Sequence, residues 1–432
     1  MKRFYLKPNR IVCHSLSVLH SPLLFTLSSL LFTLISLHSH AQRHELLSEQ
    51  IQTLQVIAAD RWMALPVIDL NSSDVVSIDF DDMTHEYHRY TYVVEHCESD
   101  WSVSTDLFET DYLEGFYNGL TIGSHEESLN MATLYTHYHL ELPNSQCRLK
   151  MSGNYRVTVF DEDNGNEPVL KAYFMVADRK FGVGIDVKTN TDIDINHSHQ
   201  QLDVTLQYNN VDIVDPDRQV KTIVMQNNRW TTARILPRPQ YVNRDGLTWQ
   251  HCRDLIYPAT NEYRKFEYLD IHRNSMGVDH TDFDGHDYNV WLNTDAPRPN
   301  YVYDEDADGS FYIRNTDDYN NDTESEYFVC HFTYHTAQPF DGDVYLNGQW
   351  TNDWLLPKYR MEYDAANQMY HCAIRLKMGY YSYQYLLSHP DGMTEYLPAE
   401  GNYFETENRY ACLVYYRPTG GRADLLYGYA EK

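Results

Sequence analysis

The sequence predicts an all-β protein built of serial antiparallel β-sandwiches, immunoglobulin-like or early-set in type. Three observations carry this. Alternating runs rich in Val, Tyr, Phe and Thr recur along the chain, turn residues separate them, and helical periodicity is scarce. The 37 tyrosines fit half-buried strand positions, with the ring in the core and the hydroxyl at the edge.

The first element is a leader. Basic Lys2, Arg3, Lys7 and Arg10 precede an apolar run from Leu16 to Leu37, and a small-x-small site, Ser39-His40-Ala41, stands before Gln42. This is the pattern of a secretory signal peptide over 1–41, with cleavage after Ala41; an uncleaved membrane anchor is the competing reading, because the run is long. Cleavage leaves 391 of the 432 residues, room for about three ordinary domains.

The next region, 42–179, holds the runs DVVSIDF (Asp74 to Phe80), YTYVVEHC (Tyr90 to Cys97), TLYTHYHLEL (Thr133 to Leu142), YRVTVF (Tyr155 to Phe160) and VLKAYFMVAD (Val169 to Asp178). Asn164-Gly165 joins the last two as a hairpin. His44 to Ala58 has some helical spacing but also suits the opening of the first sheet. A second sandwich is expected over 180–293, with strands at Val183 to Thr189, Gln201 to Tyr208, Gln219 to Gln226, Leu247 to Cys252 and Phe266 to His272. Residues 294–326 are acidic and turn-rich and read as a linker carrying one short strand, SFYIRN. The last module, 327–432, has runs at YFVCHFTY, DVYLNG, YHCAIRLK, YYSYQYLL and CLVYYR.

Charge narrows the partners. The four basic residues of the leader leave with it and no acid does, which takes the net charge from −28 to −32. So acidic a surface repels phosphate backbones and anionic lipid, so neither nucleic acid nor direct lipid binding is expected. Six cysteines remain after cleavage: Cys97, Cys147, Cys252, Cys330, Cys372 and Cys412. Cys330 and Cys372 lie on the inward faces of alternating strands, where an inert buried thiol is expected and a bridge between the two stays open.

Chemistry-bearing motifs are few. Asp304, Asp306 and Asp308 in DEDADG occupy the first, third and fifth positions of a calcium loop, with Gly309 at the sixth; the twelfth is Asn315 where a bidentate glutamate is needed. An acidic turn before a strand is the plainer reading. His96 and Cys97 are adjacent on a strand and point to opposite faces, so they do not form a nucleophile and its base. No HExxH, GxSxG or phosphate loop occurs. The expectation is a protein that is not an enzyme, with no cofactor, no metal and no small-molecule substrate.

One loop is either a sugar-stacking platform or a pair of core indoles, and its motif argues for fold more than for sugar. In DVYLNGQWTNDW, Trp350 and Trp354 follow an Asn-Gly turn, as exposed indoles do where a pyranose stacks. The string resembles the glycogen-binding and isoamylase-type N-terminal modules through Val344, Gly348, Trp350, Asn352 and Trp354. The alternative function is therefore a carbohydrate-binding periplasmic or surface protein that uses the C-terminal module.

A wider resemblance carries more weight. YTYVVEHCESDW, EGFYNG, YTHYHLELPN, SGNYRVTVF, VMQNNRW, DADGSFYIRN, RLKMGYYSYQYLL and EGNYFETENRYACLVYYRPTG together resemble the type IX secretion system plug protein family of the Bacteroidetes, in matching order from about Tyr90 to the C-terminus. One loop departs, ATNEYRKF at Ala259 to Phe266, where the family has glycines. The resemblance implies a non-enzymatic periplasmic protein that seals the giant outer-membrane β-barrel translocon when no cargo is engaged.

Overall fold

In the computed structural model, described for residues 43–116, 119–316 and 320–432, strands dominate and helices are limited to single turns such as Glu109–Tyr112 and Pro216–Gln219. Three two-sheet sandwiches follow from the alternation. The expected leader and Gln42 lie outside the described residues.

The first sandwich packs a sheet ordered Glu45–Leu46, Glu167–Ala177, Gly153–Asp161, Tyr90–Cys97, Leu120–Thr121 against one ordered Ile51–Ala58, Val76–Asp82, Thr136–Leu142, Ser124–Glu127. Val76, Ile78 and Phe80 turn inward while Ser77 and Asp79 do not, as a period of two requires. Phe80 lies flat on Tyr138, centroids 5.4 Å apart, and Tyr90 meets both rings edge-on. The Asn164-Gly165 hairpin forms, with Asp161 opposite Glu167 and Gly165 at φ +70°. The ambiguous His44 to Ala58 stretch supplies two strands.

The strand pairing redraws the other boundaries. The second sandwich begins as expected, with Gly182–Lys188, His199–Gln207, Gly246–Trp249 and Tyr241–Asn243 in one sheet. Its opposing sheet is ordered Arg234–Ile235, Val220–Gln226, Tyr410–Tyr416, Leu425–Glu431. Val224 therefore pairs with Cys412, and the end of the expected 327–432 module is core of the second sandwich, not the third.

The third sandwich is inserted between those strands. Its sheets are Arg264–Tyr268, Gly379–Ser388, Phe311–Ile313 with Asp343–Asn347 and Thr394–Tyr396, and Val278–Phe283, Tyr288–Leu292, Tyr327–His335, Met369–Lys377, Glu362–Asp364. Arg264–Tyr268 and Tyr288–Leu292, assigned above to the second domain, thus belong here.

The acidic stretch 294–326 is not a linker. Asp295 accepts hydrogen bonds from Arg264, Tyr383 (2.8 Å) and Tyr385 (2.6 Å), Ser310 is fully buried, and Phe311–Ile313 pairs with Gly379–Ser388. Its acids serve partners remote in sequence, which composition does not reveal.

The six described cysteines are all free and buried. Register explains why Cys330 and Cys372 do not bridge: Cys330 faces Ile374, and Cys372 faces Phe332. Burial pushes the thiols up, Cys97 to about 12, so they are unreactive at neutral pH.

Candidate functional site

The sequence-derived candidates disperse. Asp304 reaches Lys265 at 2.6 Å, Asp306 accepts the N–H groups of Tyr263 and of Asp308 (2.6 Å), and Asp308 faces Arg409 at 3.5 Å. Burial and the neighbouring Asp308 push Asp306 up to about 8; burial pushes Asp308 to about 6 against the pull of Arg409. The three carboxylates turn to separate partners, and among the described residues no three His, Cys, Asp or Glu side chains gather as a metal would need.

Trp350 is a core residue, 9% exposed. Its Nε1 donates to the Ser382 carbonyl at 3.2 Å, Phe332 stacks on it, and Tyr359 and Tyr381 meet it edge-on. Trp354 is half-buried; its Nε1 donates to the His44 carbonyl at 2.9 Å, and the Arg43 guanidinium covers its ring at 4.6 Å. Of the two indoles offered as a sugar platform, Trp350 is therefore core, and Trp354 carries an arginine on its ring.

What the structure does gather is a set of seams where the sandwiches meet. Between the first and third, Asp81 and Lys377 are each 1% exposed and 2.7 Å apart. Asp81 also accepts from Tyr327 (2.7 Å) and faces His137 Nδ1 (2.8 Å), while Lys377 donates to the Asp322 carbonyl (2.8 Å) and lies 4.1 Å over Tyr135. Burial alone would push Asp81 up, but Lys377 and His137 bring it below the ordinary carboxylate range. Burial likewise opposes His137, yet the Asp79 carboxylate 3.6 Å from its Nε2 and its hydrogen bond with Asp81 raise it to about 9, so it is a cation at neutral pH. Alongside, Glu326 of the third sandwich accepts backbone N–H groups of Ala132 (2.5 Å) and Thr133 (2.9 Å).

Between the first and second sandwiches the seam is apolar at its centre. Leu65, Val67, Trp101 and Met175 of the first form one core with Ile223, Met225, Leu413 and Leu426 of the second. Its polar rim is bonded too. Tyr415 donates to Asn154 at 2.8 Å, Asp424 accepts from Ser99 Oγ at 2.6 Å and Arg417 Nε at 2.8 Å, and Arg417 also reaches Glu98.

The second and third sandwiches are tied by Arg229, whose Nε and Nη2 grip one Asp353 oxygen at 3.1 and 2.9 Å; Asn347 and Thr231 complete the carboxylate. Burial pushes Asp353 up, and Arg229 overrides it.

None of these seam residues was singled out from sequence, although part of the signal was there. Asp79 and Asp81 alternate on one strand and His137 and His139 on another, and they are cross-strand partners, Asp79 with His139 and Asp81 with His137. Opposite charges at period two on two runs mark a polar sheet face, but nothing local shows that Lys377 closes it.

The family model described as "Type 9 secretion system plug protein 1st domain" matches residues 51–178. Among solved structures, the chain is similar to a hypothetical protein from Parabacteroides merdae ATCC 43184, with 38% identity and a TM-score of 0.86 over 90% of this chain and 98% of that one. No curated protein matches.

Proposed function

The chain belongs to the type 9 secretion system plug protein family, and we propose that it acts in the periplasm as a non-enzymatic stopper of the outer-membrane β-barrel translocon, seated when no cargo is engaged. The observation that carries the reading is the set of bonded seams. A plug for a wide aqueous pore must resist deformation, and single sandwiches on flexible linkers would not. Here Asp81 with Lys377, Arg229 with Asp353 and the shared apolar core fasten each sandwich to the other two.

Seating must also be reversible, which favours a polar contact surface over a large apolar one. The net charge, −28 for the full chain and −32 once the expected leader is cleaved, supplies such a surface and suits basic groups at the pore rim. Copurification tests the reading, with the tagged chain as bait in detergent-solubilised outer membranes from cells whose translocon lacks cargo. Recovery of the barrel at low salt, with loss at high salt, is the expected result; no recovery from cargo-free cells overturns it.

A further inference from the structure

Where all three sandwiches meet there is a cleft of about 110 Å³, lined among others by Arg43, Trp62, Trp101, Arg229, Asp308 and Asp353. One buried water needs roughly 10–15 Å³ of such space, so the cleft has room for a group the size of an acidic amino-acid side chain.

Its charged lining residues are two arginines, Arg43 and Arg229, and two aspartates, Asp308 and Asp353. Asp353 is held by Arg229, Asn347 and Thr231, and Asp308 faces Arg409. Burial depresses His44 to about 4, so it is neutral. That leaves Arg43, which stacks on Trp354 and, among the described residues, makes no hydrogen bond or ion pair. Two further lining residues carry buried donors without an acceptor, Nε1 of Trp101 and the hydroxyl of Tyr263. Asn228 Oδ1 is a buried acceptor of the lining without a donor. A half-buried guanidinium without a hydrogen-bond partner is unusual, because burial of charge is costly; burial lowers the pKa of Arg43 against the attraction of Asp353, which Arg229 already holds.

We infer that this cleft is a binding site for a single carboxylate, held by the Arg43 guanidinium. Arg43 is the lining cation without a hydrogen-bond partner among the described residues, and the planar fork of arginine matches a planar carboxylate. A phosphate would bring about two negative charges up to Asp353 and Asp308, which are already matched. Leu54, Val56, Pro66 and Phe311 line the same cleft and suit the aliphatic stem of a glutamate or aspartate. The inference goes beyond the stopper reading, because it concerns the isolated chain and stands whether or not the chain seals a pore.

The carboxylate has two sources, an acidic residue on a polypeptide segment or a free small acid. Tryptophan fluorescence of the purified full chain is titrated at constant ionic strength with N-acetylglutamate and, separately, with a blocked Gly-Glu-Gly peptide. Trp62, Trp101 and Trp230 line the cleft and report occupancy. A saturable change is expected, weakened about tenfold or more in Arg43→Gln and less in Arg43→Lys, which keeps the charge but loses the fork. Tighter binding of the peptide identifies a polypeptide source; equal binding identifies a free acid. No saturable change in the wild type, or equal binding in a folded Arg43→Gln, overturns the site. An unchanged urea midpoint shows that Arg43→Gln folds, and Arg43→Lys serves as the second variant if it does not.

Discussion

Replacing Lys377 by Met tests the seam between the first and third sandwiches. The methionine fills a similar volume but leaves Asp81, 1% exposed, without its ammonium partner. Removing one member of a buried ion pair costs about 3–5 kcal/mol, because the remaining charge stays desolvated. His137 and Tyr327 still reach Asp81 at 2.8 and 2.7 Å, so the lower end of that range applies, about 3 kcal/mol. Equilibrium unfolding in urea measures it, as a lower midpoint with an unchanged slope. A cycle with Asp81→Asn and the double variant isolates the pair, and a coupling of about 1–3 kcal/mol is expected. A loss under about 1 kcal/mol for Lys377→Met, or additive single effects, would refute the claim that this pair fastens the two sandwiches.

Other predictions follow from the same interior. His137 is raised to about 9 when folded, against about 6.5 unfolded, so its contribution is complete below about pH 6.5 and lost as pH rises through 9. Urea midpoints should fall between pH 6 and 9.5, and His137→Gln should flatten that fall; a flat wild-type profile contradicts the assignment. Asp81 is depressed, so its share is present above the unfolded carboxylate range and is lost as pH falls through its lowered folded value. Trp350→Ala should cost about 3–5 kcal/mol as a core truncation, and Trp354→Ala only about 1–2 kcal/mol for one hydrogen bond and a cation–ring contact. Equal costs in thermal or urea unfolding would contradict their placement. The six described thiols should resist an aromatic disulfide reagent in the native protein and react once unfolded; a fast native reaction would show that the sandwiches open.

Much of the fold was legible because a period of two is a local signal. Tyr90–Cys97 matches its predicted run residue for residue, and Tyr327–His335 extends it by one. Connectivity was harder to read, because it depends on pairing across long stretches of chain. Val220 pairs with Tyr416, so a chain read in order assigns the last strands to the wrong sandwich. The acidic stretch misled for a related reason: Asp295 and Glu326 look like solvated charges until Arg264, the Tyr383 and Tyr385 hydroxyls and the Ala132–Thr133 backbone are seen around them. Trp350 and Trp354 carry the composition of a sugar site, but burial, which composition does not encode, decides their role. The seams were legible only in part, through the Asp79, Asp81, His137 and His139 alternation.

Conductance of the purified translocon in a planar bilayer, recorded before and after the chain is added to the periplasmic side, tests the stopper reading most directly. A rigid plug should abolish the large conductance in a saturable, salt-sensitive way, and an excess of chain with broken seams, such as Lys377→Met with Arg229→Ala, should block it less well. Undiminished current at saturating wild-type chain would contradict the account.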